Sequence, residues 1–327
     1  MSLNREPETK RLSLLVVAAT WLALTLTPAS GQRSTRTAPG SDEPPILISD
    51  SNTGYVDNAI VGNQLRLRAD ASFNQKRPDR AEFFYAKCGC FRPTDPSAPG
   101  MGDRPERSVD ARDLTLGIEY APVSNFSLFA EMPYRAVDPE VSPNASGLGD
   151  IQLGVKYALL ASRQHYLTLQ LRAYAPSGNA RKGLGTDHWS VEPGLLYYGR
   201  LSERMALAGE LRYFLPINGS SGLGTGFNED FAGDVIRYGV GLSYDLDSAS
   251  SVKVSPIIEL VGWRVLNGLM TDDTGNVQSA RAHIVNLKLG ARFRFTNRDS
   301  LYFGVGHALT KEAWYEDIAR LEYRRTF

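Results

Sequence analysis

Ionised side chains in this chain recur at alternate positions, as in Arg66, Arg68 and Asp70, or Arg320, Glu322 and Arg324. Alternate residues of a β-strand share one face, so each row presents charge to water and could steer an ionic solute. Lys+Arg and Asp+Glu are 36 each, which excludes a strongly basic chain that grips nucleic acid through phosphates. A base and a hydroxyl, His188 and Ser190, stand two residues apart and would share a strand face. Cys88 and Cys90 flank a glycine. In an oxidised compartment they would pair locally or with another chain and stiffen their loop. A metal there would need two more ligands, and no His lies nearby, so neither a metal nor a cofactor is expected.

The elements that would position these groups begin after an export signal. Arg5, Lys10 and Arg11 precede the apolar run Leu12 to Leu26, and the small residues Ala29 and Gly31 suit cleavage before Gln32. Residues 1–31 therefore read as a cleaved signal peptide. Residues 32–63 lack periodicity and read as a flexible periplasmic tail or linker. From Gln64 to Phe327 a period of two dominates. Leu114, Leu116, Ile118 and Tyr120 oppose Thr115 and Glu119, and Leu167, Leu169 and Leu171 oppose Thr168, Gln170 and Arg172. About twelve such segments of roughly ten residues match tilted strands that cross a bilayer.

Connections alternate between short ones, such as "APVSN" and "TNRDS", and long ones at 74–109, 136–147, 176–187, 216–232 and 265–281. That layout fits an up-and-down transmembrane antiparallel β-barrel, all-β, with its short turns periplasmic. Tyr120, Tyr157, Tyr197, Tyr244 and Phe295 would form one aromatic girdle, and Tyr134, Tyr213 and Trp263 the other. Pro133, Pro193 and Pro256 fall inside strands of a barrel without edges, so local bulges are expected there.

With the apolar set against lipid, the charged set lines the lumen, because Arg or Lys at the bilayer midplane costs about 2–4 kcal/mol. The inward bases are Arg66, Arg68, Lys156, Arg172, Arg212, Arg237, Lys253, Lys288, Arg292, Arg294, Arg320 and Arg324. The inward acids are Asp70, Glu119, Glu131, Glu192, Glu210, Glu259 and Glu322. This set serves either as a solute pathway with a positive field or as cross-lumen ion pairs that fill a small barrel. Arg292 and Arg294 would repel Arg320 and Arg324 unless acids or an anionic solute sat between them.

The segment "SGLGDIQLGVKYALL", Ser146–Leu160, resembles the signature of the MetA-pathway phenol-degradation family of bacterial outer-membrane barrels, often called transporters. "YAPSGN" and "KGLGTDHWSVEPGLLYYGRLS" resemble the next hairpin of that family. The resemblance covers residues 109–327. It implies an outer-membrane channel linked to small organic molecules and supplies no binding residues. "LEYRRTF", ending in Phe327, resembles the terminal strand read by the barrel-assembly machinery, although Arg325 breaks its alternation.

His188 and Ser190 share the His-x-Ser spacing of outer-membrane phospholipases. Both point inward in this register, whereas lipid hydrolysis needs them outward, so no catalytic residue is expected. Asp150 and Asp187, at loop–strand junctions, read as turn formers rather than cation ligands. The expected partners are outer-membrane lipid, the assembly machinery and small solutes, with no nucleic acid. The alternatives to a solute channel are a closed structural or adhesive barrel and a lipid hydrolase.

Overall fold

The computed structural model describes residues 50–75, 108–140, 143–217, 232–246, 251–271 and 277–327. The expected signal peptide, most of the tail and the Cys88/Cys90 pair lie outside the described residues.

The strands are β1 (Gln64–Gln75), β2 (Val109–Val123), β3 (Phe126–Pro139), β4 (Ala145–Leu148), β5 (Ile151–Ala161), β6 (His165–Ala175), β7 (Trp189–Arg200) and β8 (Met205–Ile217). They continue as β9 (Val235–Tyr244), β10 (Lys253–Val265), β11 (Leu269–Thr271), β12 (Val277–Ser279), β13 (Ala282–Arg294), β14 (Asp299–Ala308) and β15 (Asp317–Thr326). Neighbours in sequence pair antiparallel, and β1 pairs with β15 from Gln64↔Thr326 to Phe73↔Asp317, which closes the sheet. Both β4 and β5 pair with β3, as two pieces of one broken strand, so the barrel has twelve staves. β11 and β12 form a separate hairpin between β10 and β13.

Sidedness follows the period of two. On β2, Thr115 and Glu119 are buried within the barrel, whereas Leu114, Leu116, Ile118 and Tyr120 are about half exposed on its outer surface. Leu128, Leu153, Leu169, Leu171, Leu211, Val240, Leu289 and Phe303 extend the apolar outer band. So large an exposed apolar belt would drive aggregation in water and is what a lipid-facing surface requires.

Bulges do not occur at the three prolines. The register shifts lie near strand ends, at Ser72/Gln75, Tyr120/Val123 and Ala158/Leu160. Each proline instead sits where one neighbour's ladder is interrupted. Pro133 pairs with Thr115 on β2 and faces the break between β4 and β5 on its other side. Pro256 pairs with Ala291 but lies just beyond the β9 ladder, which ends at Ile257↔Ser243. Pro193 keeps its partner Leu171 on β6, while the β7–β8 pairing skips Glu192 and Pro193. A missing N–H is tolerated where no ladder bond is made.

Trp263 differs from the girdle position expected of it. It is 2% exposed and packs inside against Tyr315, with ring centroids 6.4 Å apart. Residues 253–265 alternate regularly, and Trp263 has the inward parity of Glu259 and Val261.

Candidate functional site

Residues 50–63, expected as the end of a flexible tail, are the main occupant of the lumen. Ser51, Asn52, Thr53, Tyr55, Val56, Asn58, Ala59, Ile60 and Val61 are buried. The segment rises from the short-turn end and returns to it. Asn52 donates to Ser243 at 3.2 Å and Asp245 at 3.1 Å, near the end of β9. At mid-height Glu259 accepts the N–H groups of Tyr55 at 2.9 Å and Val56 at 2.8 Å. Asn63 then accepts from Ala121 N at 2.7 Å, and its carbonyl from Phe327 N at 3.2 Å.

A strandless segment inside a barrel must have its peptide groups satisfied by side chains, and the inward charges do this. Arg292 donates to the carbonyls of Asn52 and Thr53 at 2.9 and 2.8 Å, and Arg324 to those of Ser51 and Thr53 at 3.2 and 2.9 Å. Arg237 reaches Tyr55 O at 3.2 Å, Lys156 reaches Asn58 O at 2.9 Å, and Arg320 bonds Gly54 O. Glu210 accepts Asp57 N at 2.9 Å. At the short-turn end Ile60 and Val61 belong to an apolar cluster with Tyr166, Leu196 and Tyr198. Part of the inner wall is therefore apolar because it packs this segment.

The remaining inward charges pair across the wall. Lys156 meets Glu119 at 2.8 Å, Arg237 meets Glu210 at 2.9 Å, and Arg212 meets Glu192 and Asp57, each at 3.0 Å. Asp57 also pairs with Arg172 at 2.7 Å. Arg66 pairs with Glu131, which Arg68 approaches at 3.5 Å, and Asp70 binds Arg320 at 2.6 Å. The expected clash of bases is resolved by Glu322, which lies 2.9 Å from Arg292 and 2.6 Å from Arg324. Arg294 bonds the side chain of Asn52 at 2.5 Å. Two lysines differ: Lys253 is exposed at the first position of β10, and Lys288 meets the Tyr315 hydroxyl rather than an acid among the described residues.

On the long-loop side of Tyr55 lies a cavity of about 140 Å³. Arg68, Asp70, Arg172, Arg237, Lys288 and Arg320 line it, with the rings of Tyr55, Tyr174, Trp263, Trp314 and Tyr315. Trp314 and Tyr315, on the β14–β15 connection, turn inward and are buried. No periodicity marked that connection in the sequence. Burial pushes the Tyr315 phenol above its ordinary pKa, so it stays neutral and accepts from Lys288 at 2.8 Å.

The two glycine-rich segments of the family resemblance meet at the edge of this cavity. Asp150 accepts Gly178 N at 3.0 Å, Thr186 N at 2.8 Å and Thr186 Oγ1 at 2.7 Å. A Cβ at Gly185 would stand 2.4 Å from Asp150 Oδ1, so only glycine permits the approach. Gly149, Asp150, Leu184 and Thr186 line the cavity wall. Asp150 thus acts as a turn former, and Asp187 adopts a left-handed φ of 64° beside it.

Ser190 Oγ lies 3.0 Å from His188 Nδ1, and both residues are buried on the inner side. The pair is held away from the apolar outer surface.

No curated protein sequence matches this chain. Among solved structures, an outer-membrane channel from Pseudomonas putida F1 is 19% identical, with a TM-score of 0.55, and covers 85% of this chain and 100% of its own. The toluene transporter TodX of Pseudomonas putida is 10% identical over 81% of this chain and 90% of its own, with a TM-score of 0.42. The translocator domain of the autotransporter NalP from Neisseria meningitidis is 15% identical over 82% of this chain and 89% of its own, with a TM-score of 0.45. The first of these supports the barrel fold. The model of the family described as "Putative MetA-pathway of phenol degradation" matches residues 113–319, more than half of the chain, and the chain belongs to that family.

Proposed function

We propose that this protein is an outer-membrane channel for small organic or anionic solutes, narrowed by its own residues 50–63. The observation that carries the reading is the charged, ring-lined cavity on the long-loop side, whose inner limit includes Tyr55 and Asp57. Solutes enter there, and the lumen charges set preference. In this reading the half-exposed Leu, Val and Tyr band contacts outer-membrane lipid. The assembly machinery reads the last strand and Phe327, and residues 1–31 are removed on export. The chain is not an enzyme in this reading. The inward burial of Ser190 supports that, because a lipid ester would approach from outside.

The burial of residues 50–63 also favours a second reading, a closed barrel that acts through its loops. Planar-bilayer recording and liposome swelling separate the two. A channel gives discrete ionic current and admits small solutes. Absence of current at every salt concentration, in protein shown to be folded, overturns the channel reading.

A further inference from the structure

Five of the six cations that line the cavity have a carboxylate partner. Arg68 lies 3.4 Å from Asp70, Arg135 2.8 Å from Asp113, Arg172 2.7 Å from Asp57, Arg237 2.9 Å from Glu210 and Arg320 2.6 Å from Asp70. Lys288 is the sixth. It is fully buried, and among the described residues its Nζ has no carboxylate partner and donates only to the Tyr315 hydroxyl. Its Nζ stands 4.5 Å from the ring centre of Tyr55 and 4.4 Å from that of Tyr315. The stem crosses Gly306 so closely that a Cβ there would lie 2.2 Å from its Cδ, so the fold holds the amine in place.

A protonated Lys288 amine has three donors, and at so buried a site without a counter-charge it keeps its proton only at a cost unless something supplies one. The neighbouring Tyr55 hydroxyl is buried without a hydrogen-bond partner. Beyond these groups, Trp263 and Trp314 add aromatic faces to the lining. A cavity of about 150 Å³ accepts one benzene ring, close to the volume here.

We propose that Lys288 and the Tyr55 hydroxyl form the binding point for the carboxylate of a small aromatic acid, whose ring packs among Tyr315, Trp263 and Trp314. The site deepens the channel reading and rests on it. The carboxylate completes the charge balance that every other cation of the cavity receives from the wall or from Asp57, and the rings exclude strongly hydrated inorganic anions.

Because two tryptophans line the cavity, intrinsic fluorescence of the detergent-solubilised full chain reports occupancy without any need for conduction. Benzoate, acetate, chloride and benzyl alcohol are titrated into the native protein and into Lys288→Met and Lys288→Arg. Saturable quenching by benzoate is expected, with acetate, chloride and benzyl alcohol much weaker. Lys288→Met should weaken benzoate about ten-fold or more, the loss of one charge-assisted hydrogen bond, while Lys288→Arg retains much of it. Heat-modifiable migration on gels verifies that each variant is folded. No saturable response to benzoate, or an equal response in folded Lys288→Met, overturns the site. Conduction without benzoate binding overturns this inference alone, whereas benzoate binding without conduction overturns the channel reading and leaves the site standing.

Discussion

Glu259 accepts the backbone N–H of Tyr55 at 2.9 Å, across 204 residues of sequence. The same carboxylate holds Val56 N at 2.8 Å and Gly54 N at 3.2 Å. Three amides on one buried acid anchor the top of the segment that runs through the lumen. Glu259→Ala leaves those amides without their acceptor, a loss of about 1.5–3 kcal/mol for a hydrogen bond to a charged group. The segment should become a protease target while the barrel stays folded. Limited proteolysis followed by mass spectrometry checks this, and unchanged protection of residues 50–60 would contradict it.

The outer surface makes its own prediction. Leu171 is about half exposed near the middle of β6, beside the equally exposed Leu153 and Leu169. Leu171→Arg places a guanidinium against hydrocarbon and should destabilise the barrel by about 2–4 kcal/mol in lipid. Reversible folding into vesicles measures it. A change near zero would mean that this surface does not face acyl chains.

Asp150 ties the loop between β6 and β7 to the break between β4 and β5. Asp150→Ala removes three hydrogen bonds, from Gly178 N, Thr186 N and Thr186 Oγ1. Leaving those groups unpaired costs about 1–3 kcal/mol for each one that stays buried. Hydrogen exchange should rise at 177–187 and stay unchanged in β13 and β14. Uniform exchange in native and variant protein would show that the anchor is dispensable.

The barrel was legible because one physical demand, apolar outward and polar inward, repeats every two residues over each stave. The inward set from Arg66 to Arg324, Lys253 aside, followed from the same demand. Its role in holding the chain did not. Residues 50–63 carry no period of their own, since their amides and carbonyls are satisfied by side chains on many separate strands, among them Lys156, Glu210, Glu259 and Arg292. Such long-range satisfaction leaves no local pattern. Trp263 was misplaced because an aromatic near a strand end suits a girdle on either face, and only strict counting from Glu259 gives its inward parity. The prolines sit at interruptions in neighbouring strands, which depend on pairing and are invisible in one strand's sequence.

In the proposed channel, residues 50–63 narrow a polar passage. Single-channel recording of the native protein beside a variant lacking residues 50–61, which retains the Asn63 contacts, tests this. Small discrete currents in the native protein and a several-fold larger conductance in the folded deletion variant are predicted, since widening a water-filled lumen lowers the barrier to ions. Equal conductance in the two, or silence in both, would overturn the narrowed channel.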